Sequence, residues 1–378
     1  MAVGSATEHD DLRVALRSFL GATSSIRNLR SLLDSGHAYD PVVWRRMATE
    51  LGLHALAIPA QYGGLDCSAV EVGIVMEELG RVLYSGPYFS TVVMAANVII
   101  ASGDEPAMAA YLPAIAAGET RATMALLEPS ARGRPEQVET IAEAGPRGWL
   151  VSGVKTFVLH ADVADLVLAL ARTDAAAGSA CDGLSLFGVP RDAAGLRIDV
   201  LECLDQTRRQ CQVRFDRTPA RLIGDRGQAW PGTSRAIDLS AVALAAEQVG
   251  GTRRCLEMAV EYARSRVAFD RVIGSFQAIK HTCANMWIAA NEAAAAAAHA
   301  ALVAATDPAA LQTAAAVAQA YCSAAFVKAA ADNIHIHGGI GFTWEHDAHL
   351  YFRRAKSAEF YLGSPERASD LIARHIGL

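Results

Sequence analysis

Four histidines fall in the stretch "NIHIHGGIGFTWEHDAHLYFRR" (333–354): His335, His337, His346 and His349, with a Gly-Gly-Ile-Gly run between the two pairs. Such a set could hold a metal, cradle a nucleotide, or close a helix. A zinc hydrolase sets two histidines four apart around a glutamate, as His-Glu-x-x-His, so that both rings reach one ion from one helix face. Here the pairs are two and three apart and "WEHDAH" reads Glu-His-x-x-His, so no metal is expected. A lone Gly-Gly-x-Gly is in turn weak evidence for a nucleotide loop. The other group of chemical interest is Glu247, in the apolar, small-residue stretch "ALAAEQVGG". A carboxylate there is costly unless it is paired, solvated at the edge of the face, or used as a base. Arg253 and Arg254 are the nearby cations that could pair with it.

The rest of the chain must position these groups. Its 378 residues, 52% hydrophobic, suffice for a large core and more than one domain. A formal charge of −6 and the absence of a long basic tract argue against nucleic acid as a partner. The seven cysteines are scattered without a C-x-x-C, as expected of reduced core thiols. The first residues are acidic and lack the apolar run of a signal peptide. The apolar run at 92–101 is too short to span a bilayer, and the alanine tract at 293–305 has little bulk. A cytoplasmic protein without membrane segments is the expectation.

Residues 1–120 read as helices. "DPVVWRRMATELGLHALAIP" has helical spacing and stops near Gly52 and Pro59. "SAVEVGIVMEELGRVL" starts on Ser68, with acidic residues in its early turns, and stops at Gly80. Between them "PAQYGGLD" is turn chemistry. From 121 to 228 the texture changes to short runs separated by Gly, Pro and Asp: "GWLVSGVKTFVLHADVADLVLALART", "LSLFGVPRD", "LRIDVLECL" and "QCQVRFDRTP". These predict a small β domain. From 229 to 378 the chain returns to long helices, with Gly250-Gly251 marking a close helix contact and Asp307-Pro308 predicting a helix start. The order is α+β and not βαβ.

That order and several stretches resemble the acyl-CoA dehydrogenase family over nearly the whole chain. "LGLHALAIPAQYGG" with "MEELGRVLYSGPYFST" is similar to its N-terminal helical domain, and "SGVKTFVLHADVADLVLALART" to its central segment. "YARSRVAFDRVIGSFQAIKH" resembles its Arg-x-Gln-Phe-Gly … Phe-Gln motif, and "HIHGGIGFTWEH" its Gln-x-x-Gly-Gly-x-Gly motif. The resemblance implies an N-terminal helical domain, a small central β-barrel and a C-terminal bundle of four long helices. It also implies FAD bound between subunits and conversion of an acyl-CoA to a trans-2-enoyl-CoA, with electrons passing to an electron-transfer flavoprotein or a similar acceptor. The bacterial branch acting on bulky acyl-CoAs, steroid side chains included, is the most similar.

In that chemistry the flavin performs the redox step, and the protein supplies a base, polarisation of the thioester carbonyl and a dry slot. The family's usual base, a Glu near the C-terminus, falls on Leu362 in "FYLGSPE", and a second family position falls at about Ser240. Neither is acidic. Glu247 lies seven residues beyond Ser240, about 20° short of two helical turns, and so shares its face. It is the expected base, with Asp238 and Glu359 as lesser candidates. Leu362 keeps a backbone N–H for the thioester oxygen, a role that needs no carboxylate.

The resemblance assigns cofactor contacts to Arg266, Phe269, Gln277, His335, Gly338 and Gly339, and to Leu127, Phe157 and Leu159 at the flavin edge. There are departures from the motifs. Ala268 stands for the motif Gln, Asp270 for the Gly and His335 for the Gln before Gly-Gly. In "LLEPSARGRP", Leu127, Gly133 and Arg134 stand for Thr, Ser and Asp, while Leu159 loses a hydroxyl. Two organisations follow: a complete FAD enzyme, a homotetramer, or an α2β2 heterotetramer in which this chain completes a related partner's site. Family members that oxidise nitroalkanes or hydroxylate find no specific support.

Overall fold

The computed structural model describes residues 3–129, 137–145, 148–174, 181–363 and 365–378. The chain divides into two units of interleaved sequence, Met1–Ser31, Ser68–Tyr84 and Ala241–Leu378 in one, and Leu32–Cys67 and Ser85–Ser240 in the other.

The second unit is built on a barrel. Helices α1 (Ala6–Thr23) and α2 (Ile26–Asp34) precede it, and it contains α3 (Pro41–Thr49), α5 (Ala96–Ala101) and α6 (Glu105–Ala116); α4 (Ala69–Arg81) interrupts it in sequence and belongs to the first unit. The strands are β1 (Ala122–Ala125), β2 (Ile141–Gly145), β3 (Gly148–Leu159), β4 (Leu166–Arg172), β5 (Leu184–Pro190), β6 (Leu196–Val200) and β7 (Gln210–Ile223). β4 pairs with β2, β2 with β3, β3 with β7, β7 with β5, and β5 with β4 again. The circuit of these five strands therefore closes, so that none of the five is left as an open sheet edge. β1 adds in parallel to β4, and β6 to β7. The core is formed by Val151, Val167, Phe187, Val189 and Val213, each wholly buried. The expected strands are all present. β1 ("ATMA") and β2 ("IAEAG") lack the β-branched runs that announce a strand, and no sequence signal pointed to them. The apolar run near 92–101 is a π-helix over Phe89–Ala95 continuing into α5. Thr91 ties it to β1, its hydroxyl donating to Ala122 O at 2.8 Å while accepting from Ala122 N at 3.0 Å.

The first unit is helical. α4 begins as expected on Ser68, whose side chain caps Val70 N while Glu71 reaches back to Ser68 N, a capping box. α7 (Ala229–Ser265) starts in the other unit and runs on into this one. After it come a short hairpin, β8 (Val267–Ala268) and β9 (Arg271–Val272), then α8 (Gln277–Thr306), α9 (Leu311–His337), α10 (Ala348–Phe360) and α11 (Pro365–His375). The buried residues of α8 include Ala290, Ala293, Ala297, Ala300 and Ala304, spaced at three and four. This stripe explains how two alanine-rich helices, long and apolar enough by composition to cross a membrane, pack instead on each other, with α8 also against α4. Asp307-Pro308 does not open α9. Asp307 ends α8, its side chain accepts from Ala309 N, and the helix starts at Leu311.

Gly250 marks a close contact, as its sequence suggested. A Cβ there would lie 1.9 Å from Glu77 O, and a Cβ at Gly80 would lie 2.1 Å from Glu247 O, so α4 and α7 cross backbone to backbone. Gly250→Ala is expected to cost about 1–3 kcal/mol through forced separation of the helices. Gly73→Ala on the partner helix α4, where a Cβ would meet only Ala246 and Ala301 at 3.8 and 3.9 Å, should be neutral or gain up to about 1 kcal/mol. Urea unfolding of both variants checks the contrast, and equal losses would contradict the crossing.

Candidate active site

Glu247 is 3% exposed on the buried face of α7. Its Oε1 accepts from Arg354 Nη1 at 2.9 Å, and Arg354, itself 2% exposed on α10, also donates to Tyr84 O at 3.3 Å. The carboxylate is thus paired, though with neither of the cations near it in sequence. Arg253 is bound to Glu77, and Arg254 reaches Glu257 at 3.4 Å. Arg354 carries no local signal in "FRRAK", and only the tertiary fold brings it to Glu247.

The other base positions are placed as follows. Ser240 is buried, its hydroxyl donating to Ala236 O at 2.6 Å. Leu362 lies half-buried in the turn after α10, and Glu359 is bound to Lys356. Asp238 is half-buried.

Arg266 ends α7, its N–H donating to Tyr262 O at 2.8 Å, with its residue exposed. Phe269 and Asp270 form the two-residue turn of the β8–β9 hairpin with φ of +52° and +59°. Positive φ at both positions is what a tight hairpin turn requires, and Asp tolerates it well. The Asp in place of the motif Gly is therefore compatible with the turn. Phe269 is 86% exposed and held edge-on to Phe276, with ring centroids 6.1 Å apart. Gln277 follows as the exposed first residue of α8.

The segment of four histidines is a helix end, a glycine turn and a following helix. Gly338 closes α9 with φ +64° and ψ −140°, a conformation open only to glycine. A Cβ on Gly338 or Gly339 would meet nothing within 4 Å, so this backbone is bare and accessible. His335 is exposed beside it. His337 is buried, its Nδ1–H donating to Asn333 O at 2.8 Å, and its ring stacks on Tyr262 at 4.4 Å and lies 4.2 Å from the His346 ring. Burial pushes His337 and His346 below the usual imidazole range, and the neighbouring His337 lowers His346 further. His346 Nδ1 accepts from Ala348 N, and His349 faces the Trp344 carbonyl. The Tyr262–His337 stack joins the end of α7, which carries Arg266, to the end of α9, which carries the glycines.

In the barrel unit, Leu127 is half-buried and its carbonyl accepts from Thr156 N at 2.8 Å. Phe157 has φ +54° and is 49% exposed, whereas Leu159 is wholly enclosed and offers no surface. Gly133 and Arg134 lie outside the described residues.

Comparison with known proteins covers the whole chain. Family models for the acyl-CoA dehydrogenase N-terminal, middle and C-terminal domains match residues 6–119, 123–218 and 227–377. The acyl-CoA dehydrogenase IpdE2 of Mycobacterium tuberculosis is 33% identical, covering 95% of this chain and 94% of its own. The ChsE4–ChsE5 complex from the same organism superposes with a TM-score of 0.88 at 26% identity, covering 100% of this chain and 99% of that one. A steroid acyl-CoA dehydrogenase, Tcur3481–Tcur3483, superposes at 0.85 with 28% identity, covering 98% and 99%.

Proposed function

Because the chain belongs to the acyl-CoA dehydrogenase family, we propose that it takes part in flavin-dependent α,β-dehydrogenation of a bulky acyl-CoA, of the steroid side-chain class, to the trans-2-enoyl-CoA. The observation that carries this is the Tyr262–His337 stack, which holds an exposed arginine and a bare glycine turn on adjoining helix ends. An exposed cation beside a glycine backbone that allows close approach suits a pyrophosphate, the Gly338 N–H itself being used to close α9 onto Ile334 O and His335 O. With FAD bound between subunits, as in the family, Arg266, His335, Gly338 and Gly339 of the helical unit would meet the nucleotide half of one FAD, with Phe269 and Gln277 flanking it, while Leu127 and Phe157 of the barrel unit would edge a flavin ring. Leu159 would lie behind that edge, as a packing residue. When bound, FAD supplies the two-electron acceptor.

The chain's own contribution is a dry, oriented thioester. Leu362 N–H polarises the carbonyl oxygen, and Glu247 takes the α-proton once its pair with Arg354 opens. That same pair favours a second reading. A carboxylate locked to a buried guanidinium is a poor proton acceptor, and Ser240 and Leu362 occupy the two family base positions. In the second reading this chain forms an α2β2 assembly with a related chain that supplies the base, as the two-chain relatives suggest. We take the domains as 1–120, 121–228 and 229–378, the compartment as cytoplasm, and the electron acceptor as an electron-transfer flavoprotein or similar protein.

Purification alone and with a co-expressed homologue separates the readings. A complete enzyme is yellow alone and turns over acyl-CoA with an artificial acceptor, and Glu247→Gln should cut that turnover about 10²–10⁴-fold. Full turnover by that variant excludes Glu247 as the base. A chain that acquires flavin only with its homologue supports the second reading, and a chain colourless in both forms overturns both.

A further inference from the structure

In a regular strand, residues 155 and 157 would share a face. In β3 they do not: Lys155 is wholly buried, whereas Phe157 is 49% exposed. The register with β7 slips between Lys155 and Val158, and the positive φ of Phe157 falls within that slip. Bulges of this kind re-aim a side chain, and a bulky residue in the left-handed region costs about 1–3 kcal/mol that its surroundings must offset.

A buried ion pair borders the slip. Lys155 Nζ lies 2.7 Å from Glu128 Oε1, with the side chains 0% and 2% exposed, and 3.4 Å from Leu126 O. Glu128 also accepts from Glu139 N at 2.7 Å and Thr140 N at 3.1 Å. Next to it, Thr156 N donates to Leu127 O. Burial would push the Glu128 carboxyl up, but Lys155 and the surrounding N–H donors hold it below the usual range; burial pushes Lys155 down. Leu127 and Phe157, expected at the flavin edge from two separate segments, are thus flanked by one clamp.

We infer that Glu128 and Lys155 are positioning residues for the flavin: their buried pair fixes the segment of Leu127 against the slip in β3 and holds Phe157 turned outward to meet the ring. The inference rests on the FAD reading above. Neither residue touches the reacting atoms, and their effect passes through Leu127 and Phe157.

The test uses the full-length chain in whichever form binds flavin, alone or with its homologue. Lys155→Met alone leaves a buried carboxylate and is the variant most at risk of misfolding. The double variant Glu128→Gln/Lys155→Met removes both charges at nearly constant volume. It is expected to keep the wild-type far-UV circular dichroism while weakening FAD binding at least about tenfold, with an altered visible flavin spectrum. Removing the exposed Arg217–Glu143 pair on the same barrel should change neither. If the double variant also fails to fold, amide exchange of the wild type decides: the Glu139, Thr140 and Thr156 amides should slow on FAD addition more than those of β5. Wild-type FAD affinity in a folded double variant, or no such slowing, overturns the inference while leaving the FAD reading intact. A wild type without flavin in either form overturns the reading first.

Discussion

Arg354→Met is expected to cost the fold about 3–5 kcal/mol, because it leaves the Glu247 carboxylate in the core without its cation. Both side chains are almost fully enclosed, and their contact at 2.9 Å joins residues 107 apart in sequence. Glu247→Gln should cost a similar amount by stranding the guanidinium. The double variant Glu247→Gln/Arg354→Met should recover most of the loss, since buried pairs replaced whole by neutral groups of similar size are often close to neutral. A double-mutant cycle in urea measures the coupling, and additive single losses would show the pair to be incidental. The same double variant divides the functional readings. If Glu247 is the base, restored stability comes without restored turnover. If a partner chain supplies the base, both return.

The second large effect is an acid sensitivity lodged at His54. Its ring is buried edge-on to Trp44 at 4.0 Å and to Tyr88 at 5.7 Å, and among the described residues neither ring nitrogen has a hydrogen-bond partner. Burial pushes its pKa from 6.5 down to about 3. Between those values the unfolded chain binds a proton that the folded chain refuses. The stability contribution is therefore complete above pH 6.5 and is lost as pH falls, by up to about 1.4 kcal/mol per pH unit. By pH 5 the loss is roughly 2 kcal/mol. His54→Leu cannot titrate, so its stability relative to wild type should rise by that amount between pH 8 and pH 5. Parallel pH profiles for variant and wild type would show that the ring is not responsible.

Much of this molecule was legible in its sequence where the signal is local. The capping box at Ser68 and Glu71, the strands from β3 to β7, and the helix end at Gly338 each rest on residues within a few positions of one another. The misreadings came from alternatives of equal local merit. Asp307-Pro308 is as good a turn as it is a helix start, and the Asx contact to Ala309 settled it as a turn. Phe89–Ala95 is buried at every position, so it has no apolar stripe by which a π-helix could be told from an α-helix. Glu247 showed that it needed a partner but not which one. Both nearby arginines were taken by Glu77 and Glu257, residues whose own placement depends on the tertiary fold. The Glu128–Lys155 pair had the same obstacle, since a buried lysine in a strand looks like any other alternating polar residue until the bulge is seen.

The backbone crossing of α4 and α7 sets a timetable for the growing polypeptide. Glu77 and its partner Arg253 are separated by 176 residues. At about 5–20 residues per second, a ribosome needs on the order of 10–35 s to deliver the second helix after the first. During that interval the barrel strands, all complete by Ile223, can close, while α4, whose Glu71 and Glu78 already have His9 and Arg17 of α1 as partners, waits with the face that α7 and α8 later cover open. Nascent chains arrested before residue 241 should therefore bind general chaperones through the 68–84 segment, and faster translation would shorten that exposure.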